Sequence, residues 1–466
     1  MARPFALLST VIALALAAPF FLYATIPLHD LPNHIARQAI LFGGAPGAAA
    51  YYEPRWRLVP NLALEGFVCL LHFVMPVGAA VRVFLAAAAV QLFLGTLALR
   101  RAVAGADRGL VLAAPLFVLS GPFLFGFASE CFATGMALWA LALWLGVRGR
   151  AVWQIPLALV AALILMAHAF GFAVYALGAV AIAAGEVWRG RASFAAAARD
   201  TVHLALPAAL FLAIAGGSWS APEYGSPRDK AEALEWAVGL FDPRFDAGLL
   251  AAVGLGLLAL ASRLTVAPQM RAPLAALAAA FVLLPHKWGD ATFIDARVPP
   301  VLLLLLAASL NWRDERDPAR LWSERAAVSL FALRWIMLVL SWASWQPTYA
   351  QIRAALDLLP QGARLIELGV DPEKVSVANE PPLAHVAAYA VAARGALIPT
   401  MFADGPHDLL SYRAPYAAFH RAPSAGAAGA YDYFLLIDPA RIDLSALPPA
   451  APIAAGSDFV LLRRTR

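Results

Sequence analysis

The stretch Leu28-His29-Asp30-Leu31-Pro32-Asn33-His34-Ile35-Ala36-Arg37 sets two histidines, an aspartate, an asparagine and an arginine directly after the first apolar run. Pro32 suits the first turn of a helix, with Asp30 or Leu31 near its cap. Asn33 and Arg37 then take one face, and Ile35 and Ile40 the other. Asp30 falls near the positive end of that helix, which favours its ionised form. Such a carboxylate can accept a proton from an acceptor hydroxyl, or hold a divalent cation with His29 or His34. The alternative is structural: Asp30 caps the helix and the histidines sit wet at an interface.

A second group lies in Pro285-His286-Lys287-Trp288-Gly289-Asp290-Ala291-Thr292-Phe293-Ile294-Asp295-Ala296-Arg297. The Arg297 guanidinium offers a bidentate match to a phosphate in a headgroup plane, with Lys287 as a second positive charge. Asp295 could hold Arg297 in place. The alternatives are an ion pair of Arg297 with Asp295 or Asp290, or contact with ordinary phospholipid. Glu130, at the mouth of a helix, is either a second acid or a helix-starting glutamate exposed to water. His168 breaks a long apolar stretch where a turn must fall, and is either a substrate-binding residue or a polar turn residue. Cys69 and Cys131 have no metal-ligand spacing and form no disulfide framework.

The elements that must position these residues are membrane helices. Of 466 residues, 62% are hydrophobic and 14% charged, against about 45–50% and about 25% in ordinary globular chains. That leaves too little polar surface for a soluble enzyme. The net charge of +5 is carried by arginine clusters between apolar runs, which is the pattern of cytoplasmic loops and not of nucleic-acid binding. Apolar runs long enough to span cover roughly 5–26, 82–99, 110–126, 131–147, 152–168, 170–187, 203–217, 247–262, 272–285, 298–310 and 327–345, or about 11 crossings. The first reads as an uncleaved helix anchored by Arg3, because signal h-regions run about 7–15 residues.

Charge asymmetry decides the ambiguous segment Asn61 to Val77, which is apolar yet holds Glu65 and His72. If it crosses, Arg100/Arg101, Arg148/Arg150 and Arg189/Arg191 all fall outside. If it lies along the outer surface as a juxtamembrane helix, all fall inside. The second reading gives a cytoplasmic N-terminus and an outer C-terminal tail. The first loop 27–81, loop 218–246 and loop 286–297 then lie on the outer face. In loop 218–246, Trp219, Tyr224 and Trp236 read chiefly as interfacial anchors.

The tail has another texture. Arg364 to Leu368, Tyr433 to Ile437 and Phe459 to Leu462 read as short buried strands, and Pro382 to Arg394 as a helix. The expected fold is an all-α polytopic membrane protein with a transmembrane module over 1–345 and a small extracytoplasmic α/β domain over 346–466. His385, Tyr389, His407 and Asp408 in that domain suggest a surface and form no recognisable site.

An acidic residue in the first outer loop, followed by juxtamembrane helices and about eleven spans, resembles the GT-C superfamily of membrane glycosyltransferases. Protein O-mannosyltransferases and aminoarabinose transferases belong to it. The run Arg82 to Arg101, then Leu110 to Phe127 and Glu130, also resembles its second to fourth helices. The resemblance implies that Asp30 is a base or metal-site residue and that the donor is a polyprenyl-phosphate-linked sugar. It also implies catalysis on the outer face of a bacterial-type inner (plasma) membrane, with a lipid, glycan or protein as acceptor. Asp30 is followed by Leu-Pro-Asn-His, with no Asp-Glu or Asp-x-Asp pair in the loop. Two other classes fit the composition: a transporter or flippase of a lipid-linked or amphipathic solute, and a non-catalytic envelope scaffold. The spans are nearly free of acids at their middles and show no repeated halves, which favours the transferase.

Overall fold

The computed structural model describes residues 2–105, 109–214, 221–239, 242–289, 291–369, 383–405, 408–419 and 424–465. The side chain of Arg3 and the residues Trp219, Asp290, Pro382 and His407 lie outside the described residues. Among the described residues, six helices are long and apolar enough to cross a membrane: Val77–Ala104, Ala128–Val147, Ala169–Trp188, Phe194–Ile214, Arg244–Arg263 and Ala319–Leu356. Shorter apolar helices cover Pro4–Ala17, Leu110–Phe125, Ala151–Ala167 and Pro268–Leu283. The chain is a mostly helical, multi-pass membrane protein with small sheets toward its C-terminus.

Proline accounts for several differences from the apolar runs, because it cannot donate to a helix ladder. The first run breaks at Pro19, giving a helix Ala2–Ala17 and a single turn Pro19–Leu22. The run expected over 110–126 is a 3₁₀ helix Leu110–Phe117 around Pro115, then a short helix Gly121–Phe125 opened by Pro122. Within 61–77 the helix is only Ala63–Leu71. Nine residues rise about 13 Å, less than half of a ~30 Å hydrocarbon core, so this helix does not cross. The last expected span, 327–345, is part of a 38-residue helix running from Ala319 to Leu356.

The chain divides into two compact units. The first comprises Met1–Pro19, Leu58–Leu64 and Leu85–Leu338. Its helices Ala128–Val147 and Ala169–Trp188 pack closely. A Cβ on Gly171 would stand 2.6 Å from the Ala133 backbone, so only glycine allows that approach.

The second unit comprises Phe20–Arg57, Glu65–Phe84 and Val339–Arg466. A four-stranded sheet orders Leu365–Leu368, Tyr433–Ile437, Phe459–Arg464 and Ala450–Ala455 side by side. The first pair is parallel and the rest antiparallel. Three of these strands match the expected apolar runs, whereas Ala450–Ala455, mostly exposed, carries no such signal. The first loop is built into this unit. Tyr52–Pro54 pairs antiparallel with Leu410–Tyr412, and the helix Leu31–Leu41 packs on the helix Ala388–Arg394. The expected helix over 382–394 is shorter because His385 takes a left-handed backbone, φ +61°, which interrupts it.

Candidate functional site

Asp30 occupies the N-cap position of the helix Leu31–Leu41, yet its carboxylate makes no capping hydrogen bond. It turns instead to His29, whose Nδ1 lies 2.9 Å from Asp30 Oδ1. The Nε2 of His385 faces the same oxygen at 3.7 Å. His29, Asp30 and His385 are all buried, at 8%, 8% and 7% exposure. The two imidazoles meet edge to face, with ring centroids 5.3 Å apart. Burial opposes ionisation of Asp30, but the His29 hydrogen bond and the fields of His29, His385 and His34 outweigh it. Its carboxyl therefore titrates below the ordinary value of 3.8. Burial pushes the His385 imidazole down to about 4 against the pull of Asp30. His385 is thus neutral at pH 7, and the His29 hydrogen bond is the main support of the Asp30 anion.

The rest of the motif fastens this corner. Asn33 is fully buried and its Nδ2 donates to the Thr400 carbonyl at 2.9 Å. His34 meets the Phe402 ring edge to face at 5.5 Å. Arg37 pairs with Glu65, and Gln38 Nε2 donates to the same carboxylate at 2.8 Å. That pairing explains the acid in an otherwise apolar segment. His385 is held from behind, because Glu367 accepts the backbone N–H groups of His385 and Ala387 at 2.9 and 2.7 Å. Burial pushes the Glu367 carboxyl up to about 7 despite those bonds.

Beside this corner, in the same unit, lies a cavity of about 460 Å³. Ile26, Leu31, Ile35 and Val81 give it apolar walls, and Arg82 and Arg353 give it two guanidiniums. Arg82 also donates to the carbonyls of Phe20, Tyr23 and Ala24. Arg353 lies over the Tyr389 ring at 5.6 Å.

The first unit gathers the other candidates differently from the sequence expectation. Glu130 and Arg297 meet as a buried ion pair. Arg297 also donates to the Thr292 carbonyl at 2.9 Å and lies over the Phe127 ring at 4.3 Å. Asp295 does not hold Arg297. Its carboxylate receives Lys230 Nζ at 2.8 Å and His286 Nδ1 at 3.0 Å. Lys287 contributes a backbone ladder, pairing with Thr292 and bridging to Glu223. His168 is the N-cap of the helix Ala169–Trp188, its Nδ1 accepting from the Phe170 N–H at 3.1 Å.

No family model and no curated protein matches this sequence. Among solved structures, the chain is similar to ArnT from Cupriavidus metallidurans bound to undecaprenyl phosphate. The TM-score is 0.52 at 12% identity, over 99% of this chain and 97% of that one. The two chains share a fold.

The sequence did not mark His385, which is buried against Asp30 and does not belong to a surface. Its signal was a lone histidine in the apolar run Leu383 to Val391. Nor did the sequence mark Arg353, which lies in the last turn of the long helix Ala319–Leu356. Among the described residues, His29, Asp30 and His385 are the group whose donor atoms lie close enough together, within 4.8 Å, to share a metal ion. Two imidazole nitrogens and a carboxylate oxygen suit a borderline divalent cation.

Proposed function

We propose that this chain is a membrane glycosyltransferase that moves a sugar from a polyprenyl-phosphate carrier to a lipid, glycan or protein acceptor on the outer face. The observation that carries the reading is Asp30. In a GT-C-like fold, a carboxylate at a helix N-cap that makes no capping bond, meets His29 through Oδ1 and stays ionised in a buried corner has Oδ2 to accept a proton. Asp30 accepts the proton of the acceptor's nucleophile as that atom bonds the anomeric carbon. The bond from the anomeric carbon to the carrier phosphate breaks, and the lipid phosphate leaves with the electron pair.

We assign the carrier's phosphate to Arg82 and Arg353, with its first isoprene units against Ile26, Leu31, Ile35 and Val81. Lys287 and Arg297 are the weaker choice, because Arg297 already has Glu130 and Thr292 as partners. ArnT, the similar structure, holds undecaprenyl phosphate, a ligand of this chemical class. In our reading His34 takes the acceptor side of the corner, and Asn33, fully buried, holds the helix to Thr400. The arginine asymmetry supports a bacterial-type plasma-membrane protein with its N-terminus in the cytoplasm. Residues 346–466, together with the first loop, then lie outside.

The test is incubation of purified protein with radiolabelled polyprenyl-phosphate sugars and a membrane-lipid extract, comparing wild type with Asp30→Asn. Label should enter a new product with wild type only. Transfer by Asp30→Asn at the wild-type rate would remove Asp30 as the base. A donor never consumed by folded protein would favour transport or scaffolding.

A further inference from the structure

We infer that His29, Asp30 and His385 form a binding site for one divalent transition-metal cation of the zinc type, with one coordination position left open. The cation uses Asp30 Oδ1 and leaves Oδ2 for the acceptor's proton, so the inference is compatible with the transferase reading and does not rest on it. His385 Nε2 lies 3.7 Å from Asp30 Oδ1, which is too long for a hydrogen bond. An imidazole nitrogen and a carboxylate oxygen therefore face each other across a gap in a buried corner. Bonds of about 2.0–2.2 Å to a tetrahedral centre place neighbouring donor atoms about 3.3–3.5 Å apart. The measured separations of 2.9 Å from His29 and 3.7 Å from His385 fall either side of that spacing. A cation entering there replaces the hydrogen bond between His29 and Asp30 and draws the two imidazoles, whose donor atoms lie within 4.8 Å of each other, toward the carboxylate. Three protein donors with a fourth position open is the arrangement of zinc sites that bind water or substrate.

The surroundings are built to hold these donors still. His385 is kept at φ +61° by the two backbone N–H bonds to Glu367, and a non-glycine residue adopts that conformation only when its surroundings impose it. His29 and Asp30 are fixed by the helix they precede, which Asn33 ties to Thr400. The sequence offered no second acid beside Asp30. The fold supplies the missing donor from the C-terminal part of the chain.

The test uses the full chain in detergent or nanodiscs, stripped with a chelator and titrated with Co²⁺ or Zn²⁺. Metal content after desalting should be one cation per chain, and Co²⁺ should give the visible absorption of a tetrahedral nitrogen and oxygen site. His385→Gly should lose that absorption. Glycine adopts the left-handed backbone without steric cost, so the fold is retained, as its thermal melt checks. His29→Gln serves as a second variant should the first fail to fold. Glu367→Gln, acting through His385, should weaken binding about 10–100-fold, the range for residues that orient metal ligands. No retained cation in wild type, or retention unchanged in both ligand variants, overturns the site. A bound cation with no sugar transfer from any donor leaves the site standing and removes the transferase reading.

Discussion

Glu367, on the buried strand Leu365–Leu368, accepts the backbone N–H of His385 at 2.9 Å and so aims that imidazole at Asp30. The same carboxylate accepts from Ala387. Glu367→Ala should orphan two buried donors, at about 1–3 kcal/mol each. Glu367→Gln keeps an acceptor oxygen and should lose less. Thermal melts order the variants, and hydrogen exchange over 383–394 locates the effect. Equal losses in both variants would mean that the N–H bonds are not what Glu367 contributes.

Glu130 and Arg297 form an ion pair whose side chains are only 3% and 12% exposed. Removing one partner of such a pair leaves the other charge buried, at a cost of about 3–5 kcal/mol. Glu130→Ala and Arg297→Ala should each lower the melting temperature markedly. The double variant Glu130→Leu with Arg297→Met should recover most of the loss, because a matched apolar pair carries no uncompensated charge. A double variant no more stable than either single one would contradict the pairing.

The loop that carries Arg297 should depend on pH through His286 and Asp295. The hydrogen bond to Asp295, opposed by partial burial, raises the His286 imidazole above its ordinary 6.5; Asp295 and Asp229 add to the rise and Lys230 opposes it. Its stabilisation is therefore complete below 6.5 and is lost as pH rises through the raised value. Burial opposes ionisation of Asp295, but His286 and Lys230 hold its carboxyl below the ordinary 3.8. That contribution is present above 3.8 and is lost as pH falls through the lowered value. The protection of amides over 286–297, taken relative to the unfolded chain at each pH, should be greatest between about pH 4 and 6.5, the interval the two ordinary values bound. In His286→Ala the alkaline loss should disappear while the acid one remains.

What the sequence displayed and what it hid divide along chain distance. Asp30, His29, Asn33 and His34 were legible because one turn of chain brings them together, and the tail strands because their apolar runs are short and bounded. His385 and Glu367 were not, since nothing local marks a histidine in an apolar run as the partner of a residue in the first loop. Asp295 was assigned to Arg297 two residues away, but its carboxylate reaches Lys230 and His286 instead. Two runs that read as single helices are broken at Pro19 and Pro115, because hydropathy averages over prolines that the backbone cannot ignore.

Arg353 offers the cleanest test of where a lipid phosphate would lie. Arg82 shares the cavity but also satisfies three carbonyls, so its loss would disturb the chain at 20–24 as well as any ligand. The contacts of Arg353 are lighter, a hydrogen bond to Thr25 Oγ1 at 3.5 Å and the face of Tyr389. Arg353→Met keeps the stem and removes the charge. A charge-assisted hydrogen bond is worth about 1.5–3 kcal/mol, or about 10–100-fold in affinity. The KM for a polyprenyl-phosphate sugar should therefore rise by that factor, while kcat stays within about threefold because Asp30 is untouched. A fall in kcat with KM unchanged would place Arg353 against the leaving phosphate in the transition state alone. No change in either would move the carrier to another part of the molecule, with Lys287 and Arg297 the next residues to vary.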